Sequence, residues 1–338
     1  MNLALVGTQT GVVEAETGED IYLSAYLEPF RPFLERADVS EILVNRPGEV
    51  WVETAGQPVM EQHDIAEIDD RLLKRLAEQV ARVTCQGISR EQPLLAATLP
   101  DGARIQFVAP PATRKHWALS IRRHRLLDVP LSAWRPQGSL SEAETGIVAD
   151  RASDPLGWLI EQVGRRRTIL IAGGTSSGKT TFLNALLREV EVTERVILVE
   201  DTPEIRVAMP NALGLVAVRG EMGEARVTTD DLLQASLRLR PDRIVLGELR
   251  GKEAITFLRA INTGHPGSFS TIHANSCAGA LDQLALMALQ AGIGLSRQDI
   301  LAYARSVIDV VVQLGRRNGA RSIVDIRESR ELADRAIE

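Results

Sequence analysis

One segment of the sequence is suited to binding phosphate groups. Residues 173–180 read GGTSSGKT and fit the spacing G-x-x-x-x-G-K-[ST]. Glycines there let backbone N–H groups converge on a phosphate, while Lys179 can reach the β- and γ-phosphates and Thr180 can offer a hydroxyl to Mg²⁺. We therefore predict that a nucleotide is bound by Gly173, Gly174, Thr175, Ser176, Ser177, Gly178, Lys179, Thr180 and Thr181.

The residues around this loop support the interpretation, because the motif needs a strand before it and a helix after it. The apolar run TILIA precedes the loop, and the helix-like segment TFLNALLREV follows it. Lysine is also rare in this chain, so a lysine at the motif position is more informative than usual. The lysines are Lys74, Lys115, Lys179 and Lys252, against 39 basic residues in total.

Two acidic positions follow apolar runs and are suited to activating water or holding a metal. The run RIVLGE ends in Glu248, whose charge could polarise an attacking water. Position 247 is a glycine where aspartate is usual, so another residue must supply the charge beside the metal. The run RVILVE ends in Glu200-Asp201, which is the best candidate. The alternative is that Glu200 or Asp201 only caps the turn before Pro203.

A histidine follows another apolar run. His273 comes directly after SFSTI, where a neutral imidazole could hydrogen-bond a γ-phosphate and respond to its loss. A structural role is the alternative for any single histidine in a loop. His265 lies nearby, but the two histidines have no matching pair of cysteines, so a zinc site is not expected.

Strands and helices must position these residues, and residues 156–330 have a pattern that can do so. Short apolar runs separated by helical segments are typical of strands buried on both faces of a mostly parallel α/β sheet. SIVDI at residues 322–326 is predicted to extend this sheet as an antiparallel edge. The parallel runs are TILIAG, RVILVE, RIVLGE, SFSTIHA and DVVVQL.

Residues 21–126 have a different pattern, which predicts a smaller α+β domain. The alternating segments EILVN, EVWVE, ARIQFVA and ALSIRRH are typical of strands. One amphipathic helix, DDRLLKRLAEQVARV, has Leu72, Leu73, Leu76, Val80 and Val83 at helical spacing. The remaining divisions that we predict are a flexible lead at 1–20, a linker rich in Pro, Ser and Gly at 127–155, and a tail at 331–338.

The composition favours a cytoplasmic protein. The chain has 338 residues, 44% of them hydrophobic and 25% charged, which suffices for two ordinary cores. Its net charge of -6 argues against a general attraction to nucleic acid, and no direct nucleic-acid partner is expected. The first basic residue is Arg31, so the charged start of a signal peptide is missing. No apolar run approaches the roughly 18 to 20 residues that cross a bilayer.

Taken together, four segments resemble the secretion traffic ATPases, first those of bacterial type IV secretion and conjugation systems. They are GGTSSGKTT, VEDTPEI, LRLRPDRIVLGELRG and NTGHPGSFSTIHANS, in the order of that family. The resemblance is specific over residues 168–276 and general over residues 21–125, where LPDGARIQFVAPP and LSIRRHR carry it. Glycine before the glutamate in RIVLGE is normal in that family.

The resemblance implies a homohexameric ATPase that binds ATP and Mg²⁺ between an α+β N-terminal domain and a RecA-like P-loop domain. By analogy, Glu248 is the catalytic glutamate, Glu200 lies with Thr180 near Mg²⁺, and His273 contacts the γ-phosphate. Four arginines are further expectations: Arg104 and Arg122 reach the nucleotide from the N-terminal domain, while Arg219 and Arg238 stabilise charge. The resemblance also implies inner-membrane and coupling components of a secretion machine as partners, and it leaves peripheral attachment to the membrane open.

Other functions fit less well. Type II secretion and type IV pilus ATPases resemble the chain as well, but more distantly, and they are the main alternatives. A small-molecule kinase would bring an arginine-rich lid, and none stands out after Thr181. A nucleic-acid translocase of the RecA type would typically show basic and aromatic residues together, but only 4% of this chain is aromatic. A non-catalytic scaffold would be expected to lose Lys179 or Glu248.

Overall fold

The computed structural model describes residues 18–55, 57–99, 101–123, 150–175, 177–207, 209–219, 226–317 and 320–332. Within these ranges the chain forms two large sheets and a short two-stranded ribbon. The N-terminal sheet has six strands and the C-terminal sheet has seven. In the described part of the chain, no helix is both long enough and apolar enough to cross a bilayer.

The N-terminal sheet is antiparallel throughout. Its strands are β1 (Val39–Val44), β2 (Glu49–Thr54), β3 (Glu61–Asp64), β4 (Leu94–Thr98), β5 (Arg104–Val108) and β6 (Ala118–Arg122). They lie in the order β3-β2-β1-β6-β5-β4. The four strands predicted from alternation are confirmed as β1, β2, β5 and β6.

Helices cover one face of this sheet. They are α1 (Gly18–Leu27), α2 (Arg31–Leu34) and α3 (Asp70–Val83). The predicted amphipathic helix is confirmed as α3, which Asp69 caps by accepting a hydrogen bond from the backbone of Leu72 at 2.7 Å. Helix α1 begins at Gly18, within the last three residues of the predicted lead at 1–20, and its Leu23 is buried in the core under the sheet. Residues 1–17 lie outside the described ranges.

The other face of the N-terminal sheet is polar. Since side chains alternate along a strand, the residues paired across β1, β6 and β5 share one face. Glu41 lies opposite Arg122, which lies opposite Arg104, and Gln106 lies opposite Ser120. Glu41, Gln106 and Ser120 are nonetheless buried.

The C-terminal sheet is parallel except at one edge. Its strands are β7 (Ile169–Gly173), β8 (Val196–Glu200), β9 (Ala212–Val216), β12 (Arg243–Leu249), β13 (Phe269–Ile272), β14 (Val310–Arg317) and β15 (Ala320–Glu328). The ribbon joins β10 (Val218–Arg219) to β11 (Arg226–Val227). The sheet has the order β15-β14-β7-β13-β12-β8-β9, and β15 is antiparallel to β14. Each apolar run therefore forms a strand as predicted, and residues 322–326 lie in the antiparallel edge.

Helices pack on both faces of the C-terminal sheet, which explains the continuous apolar character of its strands. They are α4 (Pro155–Gly164), α5 (Lys179–Leu186), α6 (Thr229–Ser236), α7 (Glu253–Asn262), α8 (Cys277–Leu289) and α9 (Arg297–Val307). One hydrophobic core packs α4 and α5 against the sheet, and a second core packs α6, α7, α8 and α9 against it. The carboxyl ends of the parallel strands remain free to form a site.

Several contacts join the two sheets. The loop between β5 and β6 lies along the edge strand β9, where Thr113 pairs with Leu215 and the backbone of Val216 donates to Ala112 at 2.8 Å. Deeper in, the buried Arg195 donates to Asn45 of the N-terminal sheet at 2.9 Å. Residues 124–149, most of the predicted linker at 127–155, lie outside the described ranges, as does most of the predicted tail.

Candidate active site

The phosphate-binding loop follows an interior strand of the sheet. Strand β7 lies between β14 and β13, and α5 begins at Lys179, directly after the loop. Gly178 precedes the helix with φ +92°, a left-handed conformation that favours glycine. Ser176 lies outside the described residues. The backbone thus has the strand, loop and helix order that the motif requires.

A cleft of about 380 Å³ opens above this loop at the carboxyl edge of the sheet. Its walls come from β7, β8, β12 and β13 and from the loops that follow them. The cleft contains Thr175, Ser177, Gly178, Lys179, Thr180 and Thr181 of the loop, together with Glu200, Asp201, Glu248, Arg250, Thr271, His273 and Arg321. Gly173 and Gly174 lie beneath it, where their carbonyl oxygens accept hydrogen bonds from Lys179 Nζ at 3.1 and 3.4 Å.

Lys179 carries a largely buried positive charge. Its side chain is 9% exposed, and burial lowers the pKa of the ammonium group, whereas Glu248 opposes this shift. Lys179 Nζ lies 3.9 Å from Glu248 Oε1 and 3.3 Å from the His273 ring. The lysine is therefore held at the base of the cleft between the loop carbonyls and an acidic group.

Glu248 is the centre of the charged groups in the cleft. His273 Nε2 lies 2.8 Å from Glu248 Oε1, and Arg250 Nε donates to Oε2 at 2.5 Å. The hydrogen bond to Glu248 raises the pKa of Arg250. Arg250 also contacts Asp201 at 3.0 Å. Glu248 and His273 meet because β12 and β13 are parallel neighbours, so their carboxyl ends lie side by side.

Glu200 is buried at the end of β8, with 2% exposure of its side chain. Its Oε1 accepts hydrogen bonds from the backbone of Glu204 at 2.9 Å and of Ile205 at 2.7 Å, and its Oε2 accepts one from Arg114. These contacts therefore support the alternative role of Glu200, which is to cap the turn around Pro203. Because both oxygens are engaged, Glu200 is less suited to direct metal ligation than the sequence suggested.

Three of the predicted arginines lie together elsewhere. Arg104, Arg122 and Arg238 line a second cavity of about 440 Å³ between the polar face of the N-terminal sheet and the end of α6, which we call the arginine cavity. Arg122 Nε lies 3.4 Å from Glu41 Oε1. The structure thus does not bring Arg104 or Arg122 into the cleft of their own chain. Arg219 is the last residue of β10, and its side chain lies outside what the structure describes.

Arg250, which contacts Glu248 and Asp201, is not among the predicted site residues, and two arginines from more distant elements were also missed by sequence reasoning. Arg114 reaches Glu200 from the loop between β5 and β6, and Arg321 on β15 lies beside Gly178. No motif marks either arginine, because each reaches the cleft only through contacts between distant elements. The pairing of β14 with β15 brings Arg321 to the cleft, and the docking of the β5–β6 loop on β9 brings Arg114 to Glu200.

The described residues contain no cluster of three or more His, Cys, Asp or Glu side chains that could hold a metal. Magnesium at a nucleotide needs no such cluster, since it takes one or two protein oxygens, water and phosphate oxygens. Thr180 and the carboxylates of Asp201 and Glu248 supply hydroxyl and carboxylate oxygens of the right chemistry in the cleft.

A mostly parallel sheet with a phosphate-binding loop after an interior strand, and acidic residues at the ends of other strands of that sheet, defines a RecA-like P-loop NTPase. The sequence model of a family described as "Type II/IV secretion system protein" matches residues 25–330, and the chain belongs to this family. The predicted α/β fold and ATPase class are confirmed.

Individual relatives agree with this assignment. The chain is 34% identical to the type IV secretion system protein VirB11 of Bartonella henselae over 325 residues, which cover 89% of this chain and 91% of VirB11. It is 38% identical to PtlH of Bordetella pertussis, with 89% and 93% covered. The crystal structure of the VirB11 ATPase of Brucella suis, in complex with sulphate, superposes with a TM-score of 0.82 at 33% identity and covers 93% of this chain and 96% of that chain.

Proposed function

We propose that the chain is one protomer of a hexameric ring that hydrolyses ATP in the P-loop cleft and powers a type IV secretion or conjugation machine. The observation that carries this proposal is the convergence of Lys179, His273 and Glu248 above the phosphate-binding loop. The relatives that are 34% and 38% identical are type IV secretion proteins, so this reading is preferred to a type II secretion or pilus motor.

Each residue of the cleft receives a role from its position. Lys179 and the loop N–H groups bind the β- and γ-phosphates, and Glu248 orients and polarises the attacking water. His273 contacts Oε1 of Glu248, the same oxygen that Lys179 approaches, and we propose that it contacts the γ-phosphate. Because Lys179 lies close to both side chains, a phosphate bound at Lys179 would lie next to the carboxylate that activates water.

Magnesium fits this site through Thr180. Mg²⁺ bound there would supply positive charge that neutralises the charge developing on the phosphates during hydrolysis. We propose that the Thr180 hydroxyl is its direct protein ligand and that Glu200 acts indirectly, since both Glu200 oxygens are already engaged. Asp201, the next residue, lines the cleft with a carboxylate.

We propose that the arginines act between protomers of the ring. P-loop sites commonly gain an arginine from a neighbouring subunit. Arg104, Arg122 and Arg238 line one cavity away from their own cleft, which suits them to face the cleft of an adjacent protomer. Arg219 is proposed to serve with them. The division into domains at 21–126 and 156–330, joined by a linker at 127–155, would allow the two sheets to move relative to each other.

The partners proposed for the ring are inner-membrane and coupling components of a secretion machine. We propose that the ring works on the cytoplasmic side and is attached peripherally to the membrane. The relatives named above are components of type IV secretion systems, which supports this assignment.

The proposed chemistry separates binding from hydrolysis. Lys179→Ala should abolish both ATP binding and turnover, because it removes the cation at the base of the cleft. Glu248→Gln should retain ATP and lower hydrolysis by at least about 100-fold, because it keeps the shape of the side chain but cannot act as a base. Calorimetric titration with ATP and a phosphate-release assay measure the two effects.

Two exposed residues provide matched controls. Lys74→Ala and Glu189→Gln remove the same charges from the surface and should behave as wild type. Hydrolysis at the wild-type rate by Glu248→Gln would overturn the assignment of the catalytic carboxylate. Hydrolysis by Lys179→Ala would place the reaction outside this cleft.

A further inference from the structure

Arg114 connects the N-terminal sheet to the floor of the nucleotide cleft. Its Nη2 donates to Glu200 Oε2 and, at 2.7 Å, to the carbonyl oxygen of Ile205. Arg114 belongs to the loop between β5 and β6, whereas Glu200 ends β8 of the other sheet. A single guanidinium therefore joins the two halves of the described chain at the edge of the active site.

The contact completes a closed arrangement around Glu200. Glu200 Oε1 accepts hydrogen bonds from the backbone N–H groups of Glu204 and Ile205, and Oε2 accepts one from Arg114. Arg114 also donates to the carbonyl oxygen of Ile205. Glu200 is 2% exposed, and a buried carboxylate is costly without a compensating charge. If Arg114 were withdrawn, the segment 201–205 would have to rearrange to hydrate this charge.

That segment belongs to the reaction site. Asp201 follows Glu200 directly, accepts a hydrogen bond from Thr229 at 2.9 Å and pairs with Arg250 at 3.0 Å. Arg250 in turn holds Glu248. A displacement of segment 201–205 would therefore also shift Glu248, the carboxylate that we propose to activate water.

The docking of Arg114 depends on a glycine of the edge strand β9. The Arg114 backbone N–H donates to the carbonyl of Gly214 at 3.3 Å, and its side chain passes directly over that residue. A Cβ atom built on Gly214 would lie 2.5 Å from Arg114 Nε and 2.7 Å from its Cδ. Glycine thus supplies the space through which the arginine reaches Glu200.

We propose that Arg114 is a positioning residue for ATP hydrolysis: by neutralising Glu200, it holds segment 201–205 in place and makes the active site depend on the docking of the N-terminal loop. The inference rests on the proposed reaction in the P-loop cleft. It adds a contact within one chain, separate from the arginines that are proposed to act between protomers.

Arg114→Gln tests the proposal in the full-length protein. Its kcat should fall on the order of 10- to 100-fold, because misplacing catalytic groups slightly has effects of this size. The KM for ATP should change by less than about threefold, since the contacts of the phosphate-binding loop remain. Lys115→Gln removes the neighbouring exposed charge of the same loop and should leave both constants unchanged.

Two further variants separate positioning from general stability. Arg114→Lys keeps a cation near Glu200 without the guanidinium fork and should recover part of the lost kcat. Gly214→Ala retains every charged group but obstructs the path of the arginine, so it should lower kcat in the same direction as Arg114→Gln.

Wild-type kcat in Arg114→Gln would overturn the proposal. It would also be overturned if Arg114→Lys were no faster than Arg114→Gln, because charge would then be irrelevant. Lys179→Ala is measured in parallel, because it distinguishes a failure of the Arg114 proposal from a failure of the proposed reaction site. If that variant is inactive while Arg114→Gln is normal, only the role of Arg114 fails; if it is active, the proposed reaction site itself fails.

Discussion

At the scale of single residues, Glu41 shows how burial alters a charge outside the cleft. It lies on β1 with 4% exposure, and burial raises its pKa to about 7, although Arg122 at 3.4 Å opposes the shift. Within the described part of the chain, its Oε2 has no hydrogen-bond partner. Above neutral pH, the fold therefore contains an incompletely compensated carboxylate.

Glu41→Gln should consequently stabilise the protein at high pH. A carboxyl whose pKa is raised from 4.5 to about 7 on folding contributes stability that is complete below pH 4.5 and is lost as the pH rises through 7. At pH 8 the variant should gain up to about 3 kcal/mol in free energy of unfolding relative to wild type. This difference should shrink toward zero near pH 4.5, as measured by urea unfolding at each pH.

The exposed residue Glu67 provides the control for this measurement. Glu67→Gln should leave the free energy of unfolding close to that of wild type, because its side chain is exposed. A Glu41→Gln variant whose stability relative to wild type did not depend on pH would show that Glu41 ionises normally in the folded protein.

The residues of the cleft differ in how well sequence alone could locate them. Glu248 and His273 were predicted together because both end apolar runs, and parallel strands place their carboxyl ends at one edge. Arg114 could not be predicted in the same way. Its contact with Glu200 requires a loop of one sheet to dock on the edge of another, and no local pattern encodes that docking.

At the scale of elements, burial explains which strands were predicted. Strands such as β7 and β8 are buried along their whole length and read as continuous apolar runs. Strand β9 was missed, because its short sequence ALGLV contains Gly214, and a glycine inside a strand weakens the strand pattern. The resemblance to the secretion ATPases placed Arg104 and Arg122 at the nucleotide, but the direction in which their sheet faces is set by non-local contacts.

A buried hydrogen-bond cluster supplies one of those contacts. Arg195 is fully buried, and burial lowers its pKa to about 9. Its Nη1 donates to Asn45 Oδ1 at 2.9 Å and to Asn211 Oδ1 at 2.5 Å, and the amide of Asn45 donates to Asn211 at 3.1 Å. The cluster joins β1 of one sheet to the start of β8 and β9 of the other.

Asn45→Ala should weaken the contact between the two sheets. It removes an acceptor from a buried guanidinium, a loss that typically costs about 1.5–3 kcal/mol. Chemical unfolding should show a decrease of this size, and limited proteolysis should cut the chain between the sheets faster. Asn262→Ala, a matched change at an exposed position of α7, should show neither effect. Equal behaviour of the two variants would mean that the cluster does not hold the sheets together.

At the scale of the whole molecule, the separation of the two cavities bears on assembly. The nucleotide cleft contains the phosphate-binding loop and the acidic residues, whereas Arg104, Arg122 and Arg238 line the arginine cavity. If each arginine served its own cleft, a monomer would carry a complete site. If the arginines serve a neighbour, a single chain has two incomplete halves, and activity requires the closed ring that we propose.

Mixed rings distinguish these arrangements. We combine a variant that lacks the arginines, Arg104→Ala/Arg122→Ala, with Lys179→Ala, whose cleft cannot bind phosphate; both should be nearly inactive alone. Co-expressed with different tags and purified through both, the mixture should regain part of the wild-type ATPase rate, because an intact cleft then meets intact arginines across a subunit boundary. Mixing Lys179→Ala with Glu248→Gln should restore nothing, since neither cleft is complete. Mixed rings that are no more active than the separate variants would contradict the action of these arginines between protomers.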